Sequence, residues 1–205
     1  MVQAHVQESP EEELARLTPV QRRRRRRIID AATELAAEGG YDAVQMREVA
    51  ARADVALGTL YRYFPSKEQL LVAGMVEQVE LMRQRLLERP SPGTTPGERV
   101  ADALKRATRG LQRNPNVTSA MLKSLIASGD GTVSEMMQPI KEHMTSIVMS
   151  AMGHPEPDDH DRDVGEVIGH VWMASLLWWV AGHAPAGHVD EVVGTAVRLL
   201  MGDGD

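Results

Sequence analysis

The chain contains no cysteine, so it carries no disulfide framework and no thiolate metal site, which fits a reducing, cytoplasmic setting. It also lacks a long apolar run. The most hydrophobic stretch, VWMASLLWWVAG from Val171 to Gly182, has 12 residues between His170 and His183, well short of the roughly 20 that a membrane span needs. The polar, acidic N-terminus gives no reason to expect a secretory leader. No segment alternates apolar and polar residues in the manner of a strand, which predicts an all-α fold. There is no nucleophile elbow, no glycine loop that would cradle phosphate and no paired-histidine motif, so neither an enzyme nor a cofactor is expected.

Positive charge is scarce overall, with a net charge of −6 over 205 residues, but it is unevenly spread. Residues 16–67 hold 11 Lys/Arg against 6 Asp/Glu, whereas residues 68–205 hold 12 against 19. A basic segment joined to an acidic body is the asymmetry expected when one end of a molecule meets DNA.

The basic segment contains VQMREVAARADVALGTLYRYFPSK, Val44 to Lys67. Met46, Val49, Ala50 and Ala53 mark one face of a short helix, and Leu60 and Phe64 mark the next, with a turn-prone Asp54 between. Pro65 closes the second helix. The residues left facing outward are Thr59, Tyr61, Arg62 and Tyr63, flanked by Arg47 and Lys67, whose hydroxyls and fixed cations suit phosphates and base edges. Gln45 precedes the first helix and is a secondary contact. Leu57 and Gly58 open the second helix, where bases are usually read, and offer an apolar side chain and bare backbone suited to a thymine methyl. The spacing alone also suits a solvated helical hairpin.

The run Asp54–Leu70, DVALGTLYRYFPSKEQL, resembles the signature of TetR-family transcriptional regulators of bacteria. A narrower resemblance is to the branch of that family that governs sterol catabolism in actinobacteria. It covers Gly39–Leu71 and recurs in LQRNP (Leu111–Pro115), VW (Val171–Trp172), LLWW (Leu176–Trp179) and AVRLLMGD (Ala196–Asp203). The family resemblance implies a helix-turn-helix head on a helical body that dimerises through its C-terminal pair of helices. It places DNA contacts at Arg47, Thr59, Tyr61, Tyr63 and Lys67. The narrower resemblance implies a bulky apolar effector, sterol-derived or an acyl coenzyme A thioester.

Punctuation along the chain divides it into a polar N-terminal arm at 1–17, a helix-turn-helix head at 18–65 and a helical ligand-binding and dimerisation domain at 66–205. Thr18-Pro19-Val20-Gln21 reads as a capped helix start and Gly39-Gly40 as its end. Six arginines, Arg22 to Arg27, lie on that helix. Only two or three of them can reach a phosphate backbone at once, and pairing with Glu11–Glu13 or simple solvation are alternatives. Ser66 opens a long helix to about Glu88, and Thr95-Pro96-Gly97-Glu98 opens another. Asn114-Pro115 and Gly129-Asp130-Gly131 break the chain again, and Pro139 predicts a kink.

Two helices close the chain, from about Arg162 to Gly182 and from His188 to Met201. Val164, Ile168, Val171 and Trp178 form one stripe on the first, with Trp172, Leu176 and Trp179 on another. Val189, Val193, Val197 and Leu200 form a stripe on the second. A helix apolar nearly all round must be covered on both sides, so the first stripe and that of the closing helix are read as a homodimer interface.

An effector cavity is placed among Leu104, Leu111, Met121, Leu125, Met137, Met144, Trp172 and Leu176, since thioethers line adaptable apolar sites; plain core is the alternative. Lys105, Arg106, Arg109 and Arg113 are candidates for a coenzyme A tail, with solvated surface as the alternative. His154, Asp158, Asp159, His160 and Asp161 share one acidic loop but lack ligand spacing, so no metal is expected. His143, His170, His183 and His188 read as core or surface. The arginine helix lacks the apolar face of a membrane anchor. Together these features predict a homodimeric repressor that binds a palindromic double-stranded DNA operator and is released by an apolar effector. The rival is a constitutive DNA-binding adaptor of the same fold that recruits a protein partner.

Overall fold

The computed structural model describes residues 16–127, 131–154 and 157–202, of which 131–136 are described by backbone alone. The arm at 1–15, including Glu11–Glu13, lies outside the described residues, as do most of the Gly129-Asp130-Gly131 turn, Pro155 and Asp203. Among the described residues there are nine helices and no strand. None of these helices is long and apolar enough to cross a membrane.

Caps written into the sequence start several of them. At α1 (Pro19–Ala43) the Thr18 hydroxyl accepts from the Gln21 amide at 3.3 Å while the Gln21 side chain accepts from the Thr18 amide at 2.8 Å. Gly39 and Gly40 leave helical geometry, Gly40 at φ +70°, so α1 breaks there and resumes for a final turn through Ala43. α2 (Met46–Arg52) and α3 (Leu57–Tyr63) follow. Ser66 then caps α4 (Lys67–Glu88) by accepting from the Gln69 amide at 3.2 Å.

Thr95 and Glu98 form a reciprocal cap for α5 (Pro96–Gln112). α6 (Pro115–Ala127) starts directly after Asn114, and α7 (Gly131–Met152) continues through Pro139. α8 (Asp159–Val180) begins three residues before the expected Arg162, because Asp158 and Asp161 cap each other reciprocally. The acidic loop is thus largely a helix start. Among the described residues no three His, Cys, Asp or Glu side chains gather to hold an ion. α9 (Ala186–Met201) closes the chain.

α2 packs on α1 and α3 on α2, while α1 itself lies along α6 and touches α4. α4 leaves the head and runs into the body against α7 and α6, while α9 packs on α8 and α5. At Gly74 an added Cβ would sit 3.4 Å from the Met121 methyl and 3.5 Å from Ile29 Cγ2, so glycine lets α4 approach α1 and α6 closely. The core is continuous from head residues Ile28, Val49 and Leu60 to body residues Leu104, Leu122 and Ile168.

The two closing helices differ from expectation in which stripe faces inward. Val164 and Ile168 are buried with Trp172 and Leu176, and Val189, Val193 and Val197 are buried beneath α9. These five cannot be interface residues, because the chain's own core already covers them. Of the eight expected interface residues, Trp178 (60% exposed) and Leu200 (36%) stand outside and Val171 is half-buried. The outward face of α8 is Val167, His170, Val171, Ala174 and Trp178, and Leu199 at 81% exposure leads the outward face of α9.

Candidate functional site

The tight turn between α2 and α3 is set by Asp54, whose φ of +52° is the left-handed conformation that Asp tolerates better than most residues. The Val55 amide then donates to Ala50 O at 3.0 Å, and Thr59 and Leu60 amides donate to Ala56 O at 2.8 and 3.1 Å. Leu60 and Phe64, both buried, pin α3 to the head. This turn points the other side of α3 away from the molecule.

On that side Gly58, Tyr61 and Arg62 are exposed and Thr59 is half-buried, with Gln45 and Arg47 exposed at the start of α2. A Cβ on Gly58 would meet nothing within 4 Å, so its backbone is open to an approaching duplex. Leu57 is partly buried against the core.

Two expected outward residues turn inward. Tyr63 packs partly against the core, and its phenolic oxygen is buried without a hydrogen-bond partner. Lys67 is half-buried, with Nζ 3.6 Å from the centre of the Tyr41 ring and donating to Tyr41 O at 3.3 Å. The Tyr41 hydroxyl donates to Glu68, and burial together with that carboxylate pushes the phenol up to about 12. The Lys67 ammonium is therefore already engaged at the α1–α4 junction.

The arginine run divides in the same way. Arg22, Arg23 and Arg27 are exposed and Arg24 is half-buried. Arg25 and Arg26 pair with Glu77 of α4, and Arg26 also with Asp30 at 2.9 Å. The hydrogen bond to Asp30 raises the Arg26 pKa further.

In the body, a cavity of only about 20 Å³ lies among Met75 and Val79 of α4, Leu111 of α5, Thr118, Met121 and Leu122 of α6, Ile140 and Met144 of α7, and Trp172, Met173 and Leu176 of α8. Its polar groups are satisfied: Thr118 Oγ1 donates to Leu111 O at 2.7 Å, and Trp172 Nε1 donates to Thr108 Oγ1 at 2.8 Å. Five of the eight expected lining residues are there, namely Leu111, Met121, Met144, Trp172 and Leu176. Leu104 is buried elsewhere in the core, and Leu125 and Met137 pack at its edge, so these three do not line the cavity. Met75 and Val79, which are not among the expected lining residues, supply its α4 wall.

An open groove of about 820 Å³ runs between α4 and α5. Arg85, Arg89, Arg106, Arg109 and Arg113 line it against a single carboxylate, Glu88, while Lys105 lies outside it. Arg106 is partly committed, donating to Arg89 O at 2.6 Å with Asp102 3.7 Å away. Leu111 lines both this groove and the apolar cavity.

A head that presents α3 from a short turn, fused to a helical body, defines a helix-turn-helix regulator. Residues 28–73 match the family model of bacterial regulatory proteins of the tetR family, and residues 93–200 match the tetracyclin repressor-like C-terminal domain. The chain belongs to the TetR family and is a DNA-binding transcriptional repressor of that type, not an enzyme.

It is similar to the HTH-type transcriptional repressor KstR of Mycobacterium tuberculosis, at 40% identity over 90% of this chain and 84% of that one. KstR of Rhodococcus jostii is 41% identical over 90% of this chain and 85% of the relative. Among solved structures, a TetR transcriptional regulator from Rhodococcus sp. RHA1 superposes with a TM-score of 0.80 at 33% identity, covering 91% of this chain and all of that one. FadR of Thermus thermophilus, solved in complex with lauroyl-CoA, shares the fold at a TM-score of 0.68 and 23% identity, covering 88% and 95%.

Proposed function

We propose that this repressor acts in the cytoplasm as a homodimer on a palindromic operator and releases it when an amphiphilic thioester, an acyl or sterol-derived coenzyme A, enters the body. The supporting observation is Leu111, which lines both the arginine groove and the methionine-lined cavity. Such an arrangement suits a ligand with a polyanionic head and an apolar tail: guanidinium groups bind phosphates, and methionines yield to an entering chain. The complex of FadR with lauroyl-CoA lends the same reading analogy of fold.

In this reading the head is residues 18–65 and the body 66–205. Gln45, Arg47, Leu57, Gly58, Thr59, Tyr61 and Arg62 meet DNA directly, and Tyr63 and Lys67 do so after reorientation. The subunits meet through Val167, Val171, Trp178, Leu199 and Leu200, which α8 and α9 leave uncovered or partly covered. Release requires that the ligand prefer the arrangement in which the two heads no longer match half-sites about one helical turn apart.

The small size of the cavity favours a second reading, a constitutive adaptor that binds DNA and recruits a protein. A cavity of about 20 Å³ has room for little more than a water molecule, so an effector must displace side chains to enter. Titration of the dimer with stearoyl-CoA, a sterol-derived thioester and free coenzyme A separates the two. Saturable thioester binding that releases the operator is expected; binding by none of the three, with operator affinity unaffected, favours the adaptor.

A further inference from the structure

We propose that Arg25 is a positioning residue for the DNA-reading helix α3, held in place by Glu77 from the body, and that neither residue acts by touching DNA. The proposal stands on the DNA-binding role of the family and not on the identity of an effector.

Three elements meet at Arg25. Its Nη1 donates to Glu77 Oε1 of α4 at 2.6 Å, and its guanidinium carbon lies 5.3 Å from the centre of the Phe64 ring. Phe64 is the residue that ends α3, its amide closing that helix on Leu60 O at 2.9 Å. Arg25 itself extends from α1. Its side chain is only 16% exposed and that of Glu77 24%, so the pair is largely withdrawn from water, where a charge-assisted hydrogen bond is stronger than at the surface. Arg26 completes the arrangement: its Nη1 lies 3.0 Å from Glu77 Oε2, an ion-pair contact without an aligned hydrogen bond.

The six arginines therefore do different work. Exposed Arg22, Arg23 and Arg27 are available to phosphate. Arg25 is enclosed between a carboxylate and an aromatic face, and the planar guanidinium suits both at once. Removing the carboxylate frees the guanidinium to leave Phe64, so the C-terminal end of α3 loses a support that comes from the body. Base contacts depend on the angle of α3 in the groove, whereas general attraction to phosphate does not.

This gives an effect opposite in sign to simple electrostatics. Glu77→Gln removes a negative charge near a basic helix, which by charge alone tightens binding to any duplex. The expected result is weaker binding, by about tenfold, to a duplex that the wild-type chain has selected from a random library. A scrambled duplex of equal length should be bound as well as before or more tightly.

Arg25→Lys keeps the charge but loses the plane that faces Phe64, and it should show the same loss of discrimination. Glu77→Asp should restore part of it. All are measured by fluorescence anisotropy well below the melting temperature, so a lowered stability alone leaves the ratio of the two affinities in place. A ratio unchanged in both Glu77→Gln and Arg25→Lys, or selected-duplex binding tightened by Glu77→Gln, overturns the proposal. Should Glu77→Gln fail to fold, the Arg25→Lys ratio decides alone.

Discussion

Asp54 occupies the one described non-glycine position with positive φ, at +52°, and the sharpness of the turn between α2 and α3 depends on it. A β-branched side chain in the left-handed region crowds its own carbonyl, so Asp54→Val is expected to cost about 1–2 kcal/mol. Asp54→Gly should leave stability level or slightly raised, since glycine takes the same conformation without strain. Urea melts of the two variants check this, and equal midpoints would count against a strained turn. A second residue-scale device joins α4 to α7. Glu80 accepts from Arg83 at 2.6 and 2.8 Å and from Gln84 at 2.7 Å, with His143 Nδ1 of α7 3.4 Å away. The Arg83 hydrogen bonds, helped by Gln84, hold the carboxyl near 2 against an ordinary 4.5. A carboxyl depressed by folding contributes stability that is complete above its ordinary range and is lost as pH falls through the folded value. Glu80→Gln should therefore flatten the acid limb of the stability curve between about pH 4.5 and 2, read by thermal melts across that range.

At the scale of elements, α8 and α9 divide into an inward and an outward face, and the outward one is where subunits are proposed to meet. Trp178 at 60% exposure and Leu199 at 81% are large apolar side chains that the chain itself leaves mostly uncovered. Placing a charge there costs the monomer little but desolvates a charge if two copies pack. Trp178→Glu and Leu199→Asp are each expected to shift the protein to a monomer by light scattering and to weaken operator binding sharply while the melting curve of the subunit stays intact. A monomeric wild type, or dimeric variants, would refute that face. The helix-turn-helix and most helix starts were legible in the sequence because they are local: caps at Thr18, Ser66 and Thr95, and the Val49–Leu60–Phe64 pattern, are set by residues a few positions apart. The facing of α8 was not legible. It is apolar almost all round, and periodicity gives a stripe without saying whether the core or a second copy covers it, so Val164 and Ile168 were assigned to the wrong side. The inward turn of Lys67 was not legible for a related reason: Tyr41 and Glu68, which fix its surroundings, belong to the end of α1 and the start of α4.

For the molecule as a whole, α4 is the element both halves share. Met75 and Val79 face the cavity, while Glu77, between them in sequence, faces the head. Anything that pushes on the cavity wall therefore acts on the same helix that holds Arg25. Entry from the arginine groove meets Leu111, which is 8% exposed and common to groove and cavity. Leu111→Ala separates the cost of that barrier from its use. Loss of a buried leucine side chain should destabilise the fold by about 2–3 kcal/mol, toward the lower part of the usual range because the site borders an open groove. If Leu111 is the gate, the same change enlarges the passage and removes a side chain the ligand would otherwise have to displace, so stearoyl-CoA should bind more tightly even as the melting temperature falls. Operator release should then occur at lower thioester concentration. A denaturant melt and a calorimetric titration on the same preparation check the pair, and weaker or unchanged stearoyl-CoA binding in Leu111→Ala would place the route of entry elsewhere.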